Sequence, residues 1–176
     1  MIFTEIKIKG VYLIGPEFLN DERGFFARSF CKEEFQKHGL DTDIVQCNIS
    51  YNKKKGTLRG MHYQVPPFEE AKVVSCTKGS IYDVVVDLRR DSPTYCYWHA
   101  EELSADTYRM LFIPKSCAHG FQTLEDNCIV YYQMGEYYHP ECARGIRWND
   151  PSIRIVWPVP AMIISEKDKN YGDFKV

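Results

Sequence analysis

No stretch of this 176-residue chain approaches the roughly 20 consecutive apolar residues that a membrane helix needs. Charge of one sign is lacking too. Lys and Arg number 22 against 24 Asp and Glu, a net charge of −2, which argues against a basic nucleic-acid binder. The opening residues Met1-Ile2-Phe3-Thr4-Glu5-Ile6-Lys7 interrupt their apolar positions with charge and so hold no signal-peptide core. Cysteine is plentiful, but Cys31, Cys47, Cys76, Cys96, Cys117, Cys128 and Cys142 are odd in number and form no C-x-x-C pair. They are expected to be reduced thiols of a cytosolic protein, most of them small core residues. His38, His62, His99, His119 and His139 are far apart, with no H-x-H or H-E-x-x-H pair, so no metal is expected. Absence of a G-x-G-x-x-G and of a P-loop argues against a dinucleotide cofactor and nucleotide hydrolysis. The one basic run, Lys53-Lys54-Lys55, reads as a solvated turn rather than a phosphate site.

What is present is strand. The length suits one domain over residues 1–176. Residues 72–76 and 81–88 are rich in Val and Ile, and Thr77-Lys78-Gly79-Ser80 between them reads as a hairpin turn. Residues 95–103 follow the turn signal Ser92-Pro93, and 109–113 form a short strand stopped by Pro114. Residues 121–124 and 128–134 flank Glu125-Asp126-Asn127, a second expected hairpin. Many short strands at near-regular spacing predict an all-β antiparallel sandwich or barrel. Helix is scarce. Ser29 is the expected cap of a short helix over 32–38 with Gly39 as its stop, and Ser165-Glu166-Lys167-Asp168 resembles a capping box.

Chemistry concentrates in Leu58-Arg59-Gly60-Met61-His62-Tyr63-Gln64. On an ideal strand Leu58, Gly60, His62 and Gln64 share one face and Arg59, Met61 and Tyr63 the other. Arg59 and His62 line one site only if Gly60 hosts a bulge or the strand twists. His62 alone reads equally as a satisfied structural histidine or as a base. Tyr132 shares a face with Val130 and Met134. Lys72 is either an exposed charge at a strand start or an inward lysine that needs an anionic partner. Asp168 either completes the capping box or orients a histidine. His119, after a proline-containing loop, is a site residue or a turn residue packed on Phe121.

Taken together these motifs resemble the dTDP-4-dehydrorhamnose 3,5-epimerase (RmlC-type) family over nearly the whole chain. The resemblance is carried by Asp21-Glu22-Arg23-Gly24-Phe25-Phe26, Val45-Gln46-Cys47-Asn48-Ile49-Ser50, residues 58–64, 84–88 with Asp91-Ser92-Pro93-Thr94, Ile113-Pro114 leading to Ala118-His119-Gly120-Phe121, Trp148-Asn149-Asp150 and Ser165-Glu166-Lys167-Asp168. It implies a cupin-type jelly roll acting as a homodimer, without metal or organic cofactor, on a nucleotide-linked 4-keto-6-deoxyhexose. His62 would be the general base and Asp168 its orienting partner. Tyr132 would return a proton on the opposite face, and Lys72 would stabilise the enolate oxygen. Gln46, Asn48, Arg59, Asp83, His119 and Tyr138 would line the site or bind the nucleotide. Arg23 and Phe25 would reach into the partner subunit's site.

Such chemistry suits these residue types. A proton beside a ketone is acidic because the carbanion delocalises onto oxygen, so the reaction needs a near-neutral base and a positive group at that oxygen. One departure stands out: Arg28 in Gly24-Phe25-Phe26-Ala27-Arg28 replaces the glutamate common in dTDP-using members, a charge reversal that bears on the choice of base. Alternatives at this stage are a non-catalytic nucleotide-sugar-binding barrel, a sugar 3,4-ketoisomerase on the same fold, and a metal-dependent cupin dioxygenase.

Overall fold

The computed structural model describes residues 1–41 and 43–175. In chain order the strands begin with β1 (Ile2–Glu5), β2 (Tyr12–Gly15), β3 (Leu19–Asp21) and β4 (Gly24–Phe26). Helix α1 (Lys32–Lys37) precedes β5 (Gln46–Asn52), β6 (Thr57–Gln64), β7 (Lys72–Lys78) and β8 (Ser80–Asp87). Then come β9 (Trp98–Ser104), β10 (Met110–Ile113), β11 (Cys117–Thr123), β12 (Cys128–Met134), β13 (Ala143–Gly145), β14 (Ile163–Ile164) and helix α2 (Glu166–Lys169).

The two main sheets run β1-β2-β10-β7-β12-β5 and β13-β6-β11-β8-β9, and β3-β4 forms a separate hairpin. Every pairing is antiparallel except β14 with β6. The all-β sandwich read from the sequence is therefore correct, and it is the cupin-like fold. Its inner layer joins Val74, Cys76, Leu111, Ile113 and Val130 of the first sheet to Ile81, Val85, Leu103, Cys117 and Phe121 of the second. At about 1.5–3 kcal/mol per large apolar side chain buried, this layer dominates the cohesion of the sandwich. Helix α1 covers the outer face of the first sheet through Phe35, which packs with Val73, Met110 and Phe112. Met61, Val84, Val86 and Ala118 on the outer face of the second sheet lie beneath Ile146, Ile153 and Ile155.

Two expected hairpins are not hairpins. β7 and β8 lie in different sheets, as do β11 and β12, so Thr77–Ser80 and Glu125–Asn127 carry the chain across the sandwich. Alternation fixes which face of a strand is apolar but does not name its partner. The first helix is also capped differently: Cys31 occupies the N-cap with no side-chain hydrogen bond, and Ser29 takes no part. Ser165 does cap α2, its hydroxyl accepting from the Asp168 amide at 3.1 Å. Lys54 of the basic run lies exposed and pairs with Asp126. Cys76, Cys117, Cys128 and Cys142 are buried, and all seven thiols are unpaired.

Candidate active site

Toward one end of the sandwich the inward side chains change from apolar to polar. Along β12, Cys128 and Val130 belong to the core, while Tyr132 and Met134 line a cavity of about 510 Å³. β7 runs the opposite way, so Cys76 and Val74 lead to Lys72, which pairs with Met134. The first sheet adds Gln46, Asn48 and Ser50 to the wall, and the second adds Arg59, His62 and His119.

Arg59 and His62 share this cavity because β6 bulges. His62 pairs with His119 and Arg59 with Phe121, so three steps on β6 match two on β11. Gly60 permits it. Its φ of +138° is a conformation that side-chain-bearing residues avoid, and a Cβ there would lie 2.5 Å from the Gly120 Cα. Gly120 opposite is equally confined, since its Cβ would meet the Met61 Sδ at 2.7 Å. Of the bulge and the twist that the sequence left open, the structure has the bulge, and Met61 is left on the outer face.

Three buried carboxylates hold the basic side chains. Asp168 Oδ1 lies 2.7 Å from His62 Nε2, and its other oxygen accepts from the Gly60 amide at 3.3 Å. Burial pushes the Asp168 carboxyl up, but the hydrogen bond and charge of His62, with the Gly60 amide, outweigh it and hold the group below the ordinary carboxylate range. The bond leaves the other His62 ring nitrogen free to take a proton. Asp168 thus sits in the α2 cap by its backbone and on His62 by its side chain, so both sequence readings apply. Behind His119, Asp83 Oδ1 lies 2.7 Å from Nε2, and its Oδ2 is buried without a partner among the described residues. Glu70 accepts from Lys72 Nζ at 2.6 Å, so Lys72 is the inward, paired lysine rather than an exposed one. Burial first, then the Asp83 charge, raise the Tyr132 hydroxyl well above the ordinary phenol range. It therefore keeps its proton at neutral pH.

Gln46, Asn48, Arg59, Lys72, His62, His119, Tyr132 and Tyr138 all line the cavity. Arg59 is aimed by Asn52, whose side-chain oxygen accepts from Nε at 2.8 Å. Asp83 and Asp168 stand one layer behind, each on its histidine. Arg23 and Phe25 are elsewhere: Arg23 is exposed and paired with Asp21, and Phe25 packs on Phe18 and Tyr108. Arg28 pairs with Glu34 and borders a different cavity, beside Phe25. The site also contains Glu70, Arg144, Lys167 and Tyr171, which sequence reasoning missed. Lys167 adjoins Asp168 and Glu70 lies two residues before Lys72, so strand and motif position were the available signals. Arg59, Lys72, Arg144 and Lys167 outnumber Glu70 and Glu136 in the wall, a balance that favours an anionic ligand. Among the described residues no group of three or more His, Cys, Asp or Glu is placed to hold a metal ion.

A family model described as dTDP-4-dehydrorhamnose 3,5-epimerase matches residues 5–175. A protein of that name from Methanothermobacter thermautotrophicus is 45% identical over 172 residues, covering 96% of this chain and 92% of that one. The crystal structure of the Bacillus anthracis dTDP-4-dehydrorhamnose 3,5-epimerase with TDP and pyrophosphate superposes with a TM-score of 0.94 at 40% identity, covering 98% of this chain and 99% of the other. The Legionella pneumophila enzyme in complex with dTDP-4-keto-L-rhamnose gives a TM-score of 0.87 at 37% identity, over 95% and 89% of the two chains. A cavity fitted for an anion and flanked by a carboxylate-held histidine and a partly buried tyrosine, in a chain matched over residues 5–175, makes this protein a member of the dTDP-4-dehydrorhamnose 3,5-epimerase family.

Proposed function

We propose that this chain epimerises a dTDP-linked 4-keto-6-deoxyhexose at C3 and C5, with no cofactor, as a step in deoxysugar synthesis. The observation that carries the reading is the placement of His62, bonded to Asp168, and Tyr132 on opposite sheets around one cavity. Inversion needs a base on one face of the sugar and an acid on the other, and two facing walls supply that arrangement. His62 removes the proton beside the C4 ketone. Asp168 fixes the ring and stabilises the imidazolium that forms. Charge moves to the C4 oxygen, where the Lys72 ammonium offsets it. Tyr132 returns a proton from the far side.

Gln46, Asn48, Arg59, His119 and Tyr138 bind the sugar nucleotide, Arg59 as a cation for the diphosphate, and Asp83 orients His119. The working unit is a homodimer of one-domain subunits. Arg23 and Phe25, carried outward on the β3-β4 hairpin, complete the partner's site. The exposure of Leu19, Phe25 and Phe26 on that hairpin supports this, since contiguous apolar surface marks contact sites. No helix among the described residues is long and apolar enough to cross a membrane, and seven unpaired thiols fit a reducing cytosol.

The deciding experiment is proton NMR in D₂O with dTDP-4-keto-6-deoxyglucose. Wild type should lose the C3 and C5 proton signals, and His62→Ala should lose neither. Absence of exchange by the wild-type protein would overturn the reading.

A further inference from the structure

Glu70 has no part in the proposed reaction beyond its bond to Lys72, yet it is buried beside the cavity in which charge would develop. Its carboxylate lies 2.6 Å from Lys72 Nζ, with the two side chains only 9% and 5% exposed. Both border the cavity. The segment that carries Glu70 is pinned on either side. Gln64 Nε2 donates to the Phe68 carbonyl at 2.9 Å, and the Gly135 amide donates to the Ala71 carbonyl at 2.8 Å. Ala71 itself is buried in the outer cluster under α1. The carboxylate is therefore held by backbone that the sandwich fixes.

From this we infer that Glu70 is a positioning residue for Lys72, and through it for the enolate oxygen; the inference rests on the epimerase reading above. Lysine is a point charge on a flexible four-carbon stem with three rotatable donors. Tying one donor to Glu70 fixes where the other two point. A buried pair of this kind adds little to stability beyond what apolar side chains would give. What it supplies is a fixed positive group facing the cavity.

The test compares Glu70→Gln in the wild-type and Lys72→Met backgrounds, reading kcat and KM from the NMR assay and folding from thermal melting. Deuterium accumulates over hours, so slow variants remain measurable. Glu70→Gln should lower kcat about tenfold or more, the scale of a misplaced group, with KM within about threefold, and Glu70→Asp should recover part of the loss. Beside Lys72→Met, the Glu70→Gln change should cost nothing further. An unchanged kcat for Glu70→Gln, or an equal loss in both backgrounds, overturns the inference. Should Glu70→Gln fail to fold, Glu70→Asp takes its place, its own loss again expected to vanish beside Lys72→Met. A Lys72→Met protein with wild-type exchange would remove Lys72, and Glu70 with it, while the His62→Ala result would still decide the epimerase reading.

Discussion

At the scale of single residues, the proposed division of labour between His62 and Tyr132 is the feature most open to test. His62 takes its ring orientation from Asp168 at 2.7 Å, whereas Tyr132 keeps its proton because burial and the Asp83 charge disfavour the phenolate. Tyr132→Phe should therefore still exchange deuterium, since the base is intact, but return it from the same face. The sugar should become labelled with its configuration retained, and inversion should slow by about 10²–10⁴-fold. NMR of the product distinguishes labelled substrate from inverted sugar. How legible these residues were depended on their surroundings. For His62 and Arg59 the sequence showed the problem, since a two-residue alternation puts them on opposite faces, and left a bulge at Gly60 or a twist as the ways to bring both to one site. Periodicity left Lys72 open between an exposed and an inward lysine, because its inward burial depends on Glu70 and no periodicity reveals which carboxylate a lysine will meet; the family resemblance alone pointed inward. The hydrophobic pattern likewise missed Lys167 and Arg144, whose positions come from chain that only tertiary packing brings to the cavity.

At the scale of elements, strands were legible and their partners were not. Alternating Val and Ile located β7, β8 and β12, yet both turns taken for hairpins lead from one sheet to the other. A different connection, from β8 to its sheet neighbour β9, is tied by a polar network that the motif Asp91-Ser92-Pro93-Thr94 announces. Asp87, at the end of β8, accepts from Arg89 Nε at 2.7 Å, from the Ser92 hydroxyl at 2.5 Å and from the Thr94 hydroxyl at 2.7 Å. Burial opposes its charge, but these donors together hold its carboxyl at about 2 against an ordinary 3.8. A carboxyl depressed on folding stabilises the fold in its charged form, by about 2 kcal/mol here. That contribution is complete above about pH 4 and is lost as pH falls toward 2. Asp87→Asn should lower the melting temperature at pH 7, and its deficit relative to wild type should shrink between about pH 4 and 2. A deficit constant over that range would mean that the charge of Asp87 is not what stabilises the turn.

At the scale of the whole molecule, the proposed exchange of hairpins makes activity a property of pairs. A chain with Arg23→Ala and a chain with His62→Ala each lack a part of every site in their own homodimer. Mixed by refolding or coexpression, half of the dimers would be hybrids, and each hybrid would hold one site with both parts intact. Roughly a quarter of wild-type sites should return, measured as deuterium incorporation by the mixture. No recovery would mean that Arg23 acts within its own chain, and full activity of the Arg23→Ala homodimer would mean that it does not act at all. One long-range contact at the proposed active site has a further consequence. Asp168 is 106 residues beyond His62 in sequence, so a ribosome finishes the histidine strand long before it adds the carboxylate that orients it. A chain synthesised only as far as β6 carries an imidazole free to turn, and competence waits until residue 168 has been added and folded back onto it.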